Sequence, residues 1–97
     1  MGFVQIIEFR TSKFDEMRQV EQEWEQATEG SRKTVRRVLT QDRDHPGRYL
    51  NIVFFDSYDD AMANSALPET GAFSKKMMGL ADGPPTFYNL DVVDDRS

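Results

Sequence analysis

Apolar residues along this chain change their spacing in the order strand, helix, strand, hairpin, strand, helix, strand, all within 97 residues, and that order constrains the fold more than any single residue. Phe3 to Arg10 (FVQIIEFR) is rich in β-branched and aromatic residues and has no breaker, which predicts a strand. Ser12 and Asp15 have the spacing of a capping box with Asp in place of Glu or Gln. They predict a helix whose apolar positions are Phe14, Met17, Val20, Trp24 and Ala27, ending near Gly30. A second strand is expected from Arg32 to Gln41. His45-Pro46-Gly47-Arg48 suits a type II turn, because Pro presets φ at the second position and Gly accepts the positive φ at the third. Tyr49 to Phe55 (YLNIVFF) follows as the strongest strand signal, and Ser57 with Asp60 forms another Asp-type capping box that opens a helix through Ala61, Met62 and Leu67. Pro68 should interrupt that helix, giving a second piece from Glu69 to Leu80, and Thr86 to Val93 closes the pattern after the Asp82-Gly83-Pro84-Pro85 turn.

A βαββαβ order with one tight central hairpin is the α+β, ferredoxin-like plan: an antiparallel four-stranded sheet with both helical layers on one face. The chain is therefore expected to be a single domain over residues 1–97. Strand parity places Val4, Ile6, Leu50, Ile52, Phe54, Tyr88, Leu90 and Val92 on one face. Phe3, Gln5, Ile7, Phe9, Tyr49, Asn51, Val53, Phe55, Phe87, Asn89 and Asp91 fall on the other. Both faces are too apolar for water, so the face left bare by the helices should pack against a second copy of the chain, giving a homodimer through the sheet.

Composition removes several classes. A domain of this size buries roughly 60–65% of the surface its unfolded chain exposes, so its core is thin. There is no cysteine and only one histidine, His45, which excludes a thiolate metal site or a zinc site built from histidines; no metal is expected. A net charge of −5 argues against a nucleic-acid surface, and no apolar stretch approaches the ~20 residues needed to span a bilayer. The chain opens on a strand-like run in place of a secretory signal, so a cytoplasmic location is expected.

The chain resembles the dimeric α/β-barrel proteins of the antibiotic biosynthesis monooxygenase type. Phe55-Asp56-Ser57-Tyr58 is similar to that family's third-strand end, a bulky aromatic followed by an acidic residue and a helix cap. Met62-Ala63-Asn64-Ser65 and Phe73-Ser74-Lys75-Lys76-Met77 resemble the segment that, in the haem-degrading branch, carries a tryptophan, then Asn-Ser, then a phenylalanine with a haem-ligating histidine four residues on. Met62 stands in place of the tryptophan and Met77 in place of the histidine, so the resemblance implies the fold and argues against haem degradation. The quinol-oxidising branch works without metal or flavin, holding a polycyclic substrate between sheet and helices while it reacts with oxygen. No cofactor is expected here: the Gly-rich dinucleotide loop is missing, as is the histidine.

The resemblance also implies that the Phe9 and Phe55 parity faces the helices. Gln5, Asn51 and Asn89 would then lie under the helical layer with Tyr49 and Phe87, roofed by residues around Met62, Phe73 and Met77. Buried amides need partners, so these either border a small-molecule pocket or bond one another, backbone or water. Asp91 shares their parity and is the one weak candidate for a general base; the alternative is a strand-end carboxylate in solvent. His45 reads as a solvated turn residue, Trp24 as a core or dimer-edge tryptophan, and Met62, Met77 and Met78 as core filling or a pliable pocket roof. Arg32, Lys33, Arg36 and Arg37 read as charges that protect an edge strand and pair with the acidic helix. Three functions fit: a cofactor-independent monooxygenase-like enzyme acting on an aromatic or polycyclic substrate, a non-catalytic binding protein for an apolar aromatic molecule, and an interaction module whose pocket is filled.

Overall fold

A computed structural model describes residues 2–97. Its elements run β1 (Phe3–Arg10), α1 (Phe14–Ala27), β2 (Arg36–Gln41), β3 (Arg48–Phe55), α2 (Tyr58–Ser65), α3 (Pro68–Leu80) and β4 (Thr86–Asp91). The strands form one antiparallel sheet in the order β2-β3-β1-β4, with the helices on one face. This is the βαββαβ plan that the apolar spacing predicts.

Side-chain alternation decides which face the helices cover. Phe3, Tyr49, Val53 and Phe55 are buried, and Phe3, Val53 and Phe55 form the core with Ala61 of α2. Tyr58 closes this cluster edge-on against Phe3, 5.3 Å between centroids. The opposite parity stays partly open: Val4, Ile6, Leu50, Ile52 and Phe54 are half-buried, while Tyr88 and Leu90 are exposed. Trp24 and Met17 are the buried apolar residues of α1, on the stripe the sequence sets out. Among the described residues no helix is long and apolar enough to cross a membrane.

Turn and cap chemistry behaves as its residues dictate in two places. The Arg48 N–H donates to the His45 carbonyl at 3.1 Å, and Gly47 takes φ 85°, as a type II turn requires. Ser57 caps α2 by accepting the Asp60 N–H at 3.1 Å. Pro68 takes the first position of α3, where its missing N–H costs nothing, so the break expected there starts a new helix at Pro68 and not at Glu69.

Four boundaries differ from expectation, the first three because a hydrogen bond goes elsewhere. Ser12 does not cap α1. The Thr11 hydroxyl accepts the Lys13 N–H at 2.9 Å and donates to the Leu80 carbonyl at 2.8 Å, tying the start of α1 to the end of α3. That helix stops at Ala27, short of Gly30, where the fully buried Thr28 hydroxyl donates to the Trp24 carbonyl at 2.6 Å. β2 begins at Arg36 and not at Arg32, since the Arg32 N–H closes on Thr28 and the Lys33 N–H donates to Asn64 Oδ1. β4 ends at Asp91 and not at Val93, although the Val92 N–H still reaches the Gly2 carbonyl at 3.0 Å.

Ser57→Ala should remove the α2 cap and lower unfolding free energy by about 1 kcal/mol. Urea denaturation measures this, and an unchanged midpoint would show that the hydroxyl contributes nothing to the helix.

Candidate functional site

Because α3 buries none of its side chains, it spans the sheet as a roof and not as a packed layer. It is held mainly by α1 and by the loops at its ends. The Trp24 Nε1–H donates to Thr70 Oγ1 at 3.1 Å and its ring lies 5.4 Å from Phe73. At the other end, the Thr11 bond to Leu80 is joined by the Asp82 N–H donating to the Arg10 carbonyl at 2.8 Å. Beneath this roof lies a cavity of about 310 Å³, floored by Ile7, Phe9, Asn51 and Phe87 and covered by Phe73 and Met77, with Met17 of α1 on one side. Its size falls at the small end of ligand pockets, which span roughly 300–1,000 Å³.

Asn51 and Ser74 are the polar side chains of this lining, and no titratable side chain is part of it among the described residues. The Asn51 amide makes no hydrogen bond to another described residue, and none of its atoms is sealed away from solvent without a partner, so its donors and acceptor face open space. An amide so placed among aromatic and thioether groups can orient a carbonyl, hydroxyl or phenolate oxygen.

The structure gathers Asn51, Phe73, Met77 and Phe87 at the cavity. Met77 lines it where the resemblance sets the haem-degrading histidine. Tyr49 lies beside it, sandwiched between Phe9 at 5.5 Å and Phe14 at 4.3 Å. Gln5 and Asn89 lie outside the lining: they are paired across β1 and β4 and bond each other, Nε2 to Oδ1, at 3.1 Å. Register is the reason, for Gln5 faces Val53 while Asn51 faces Ile7, one row further along the sheet. Met62 is exposed on α2, away from the lining. Asp91 is exposed at the end of β4 opposite Phe3, four residues from Phe87, and does not line the cavity. His45 stands in the turn with a largely exposed ring.

Sequence reasoning missed a second space, a more open cleft of about 530 Å³ between α1 and β2. Arg37 pairs there with Glu21 at 3.5 Å and with Glu25, while Arg18 holds Glu21 from the other side. Arg37 also lies 4.8 Å over the Trp24 ring. The signal was present in Glu21, a carboxylate set four residues after Met17 and three before Trp24, inside the apolar stripe of α1, where a charge requires a partner. Of the basic run, only Arg36 and Arg37 lie on β2.

No protein-family model matches the sequence, and no curated protein matches it. Solved structures match its backbone closely. A Caulobacter crescentus protein assigned as an antibiotic biosynthesis monooxygenase superposes with a TM-score of 0.83 at 17% identity, over 96% of this chain and 91% of the other. SnoaB, a cofactor-independent oxygenase from Streptomyces nogalater, gives 0.82 at 15% identity, over 97% and 95%. A further antibiotic biosynthesis monooxygenase gives 0.76 at 16%, over 97% and 100%. What these proteins share with this chain at such identities is the fold, the one that the Phe55-Asp56-Ser57-Tyr58 resemblance implies.

At the hairpin end of the sheet, the Asp44 N–H and the Arg48 guanidinium hold the Asp42 carboxyl below the usual carboxylate range. Asp42 and Glu8 in turn raise Arg48. A depressed folded value contributes stability that is present above the unfolded carboxylate value of about 4 and is lost as pH falls through the folded one. Asp42→Asn should therefore flatten the fall in stability below about pH 4. Urea midpoints across acidic pH measure it, and an unchanged slope would show that the pairing does not couple to folding.

Proposed function

We propose that this chain binds a planar aromatic molecule beneath α3, with one oxygen of the ligand held by Asn51, and that its chemistry, where it has one, is cofactor-independent oxygenation of a phenolic substrate. The observation that carries this is the Asn51 amide, without a partner among the described residues, on the floor of a cavity whose lining is apolar apart from it and Ser74. The fold shared with a cofactor-independent oxygenase supports the second half.

The reaction balances without a bound redox group. A phenol gives up two hydrogens as O₂ adds one atom to a ring carbon; the product is a quinone and the second oxygen leaves as water. The reactive species is the phenolate. With no titratable side chain in the lining among the described residues, the chain's contribution is to donate the Asn51 N–H to the phenolate oxygen, which favours the charged form, while apolar walls fix the ring. The same lining favours a second reading, binding without turnover, because it offers no general base.

Native mass spectrometry of protein taken from its source cell should show a retained aromatic ligand, and oxygen uptake with a polycyclic quinol under air distinguishes turnover from binding alone. Asn51→Leu should weaken that ligand about tenfold, the loss of one hydrogen bond, with the fold unchanged. Full affinity in this variant would remove Asn51 from the site.

The outer sheet face supports a homodimer. Ile6, Ile52, Phe54, Tyr88 and Leu90 form a contiguous apolar surface that a monomer would leave to water. A second copy would cover it, the same patch on both subunits. Ile52→Asp would set an unpaired carboxylate in that interface and should split or unfold the dimer. Sedimentation of an intact dimer after this change would move the interface elsewhere.

A further inference from the structure

The apolar cavity and the charged cleft meet at Asn51, which lines both. A single row of paired residues crosses the whole sheet beneath them. Phe87 of β4 faces Ile7 of β1, Ile7 faces Asn51 of β3, and Asn51 faces Leu39 of β2. Phe87 and Ile7 floor the cavity and Leu39 floors the cleft, so the row runs beneath both spaces over three interstrand steps of roughly 4.8 Å each, with Asn51 as the residue they share. α1 lies across the row, presenting Met17 to the cavity and Phe14, Arg18 and Glu21 to the cleft.

We propose that the ligand is bipartite: an aromatic body in the cavity, bonded at Asn51, and an uncharged, hydroxyl-bearing substituent that passes beneath α1 into the cleft. This rests on the binding reading given above and adds the class of molecule. The charge pattern of the cleft selects the tail. Its two arginines, Arg18 and Arg37, are paired with its two carboxylates, Glu21 and Glu25. An anionic tail that displaced Glu21 from its arginines, or a cationic one that displaced Arg37 from its glutamates, would leave a charge largely out of water alone. Hydroxyls disturb neither pair. A guanidinium has five donors and a carboxylate about four acceptor positions, so each still has sites for an O–H that both donates and accepts. Gln41 adds an exposed amide at the same end.

Calorimetric titration of the wild-type protein with three probes tests the proposal: a dihydroxyanthraquinone, the same ring bearing a triol chain, and the same ring bearing a carboxylate chain. The triol compound should bind about tenfold more tightly than the bare ring, and the carboxylate compound no more tightly than the bare ring. Leu39→Phe narrows the cleft without touching the cavity and should erase the triol's advantage while leaving the bare ring's affinity within about twofold. Should that variant fold poorly, wild-type NMR serves: the Leu39 methyls and the Gln41 backbone amide should shift with the triol compound and stay still with the bare ring. Equal affinity for bare and triol rings, or a Leu39→Phe loss shared by both, would overturn the bipartite ligand. A gain with carboxylate equal to that with triol would overturn the uncharged tail. Failure of all three probes to bind would overturn the cavity reading itself, and the bipartite ligand with it.

Discussion

Trp24 is the point on which the arrangement of the helical layer depends. It is nearly buried, bonds Thr70, packs on Phe73, and lies against the guanidinium groups of both Arg32 and Arg37. One side chain of α1 thereby sets the height of α3 on one flank and the position of the charged cleft on the other. α3 buries no side chain fully: its inward stripe of Phe73, Met77 and Leu80 is only half-buried, so the Trp24 contact and the Thr11 bond at its far end matter more to its position than they would for a fully packed helix. The space left between such a lightly held roof and the sheet is the cavity.

The rest of the architecture follows from a shortage of core. The buried cluster of Phe3, Val53, Phe55 and Ala61 occupies the α2 end of the sheet, whereas the opposite end is occupied by open volume and an aromatic stack. A domain this small has little apolar burial to set against the entropy of ordering its chain. Its bare sheet face carries enough apolar surface to supply more, and burying it between two copies would add stability that one copy lacks.

Charge is used locally. Glu21 sits inside an apolar stripe, and its burial is tolerable because two arginines reach it from α1 and β2. Removing both would leave a carboxylate alone and largely out of water, so the pairs make the α1–β2 gap a polar one. Asn51 sits at the boundary between this polar gap and the apolar cavity, which makes its unpaired amide a group where two kinds of ligand chemistry can meet.

Element order, the Ser57 cap, the Pro46-Gly47 turn and the division of strand residues into two faces were legible in the chain, because each is local: a period, a cap or a turn acts over a few residues. Which of the two faces the helices cover was not given by the period; it came from the resemblance, and with it the expectation that Asn51, Phe73, Met77 and Phe87 lie near one another. Cross-strand register was not legible, and register is what pairs Gln5 with Asn89 while leaving Asn51 alone beside Ile7. The hydrogen bonds of Thr11 to Leu80 and Lys33 to Asn64 span dozens of residues and moved the starts of α1 and β2 away from their local signals. The sequence by itself determined the architecture and the two chemically distinct faces of the sheet, for these depend on periodicity. Only the tertiary structure decided which amide stays unpaired and which arginine of another element reaches Glu21, for these depend on distances between segments that have no fixed relation until the chain has folded.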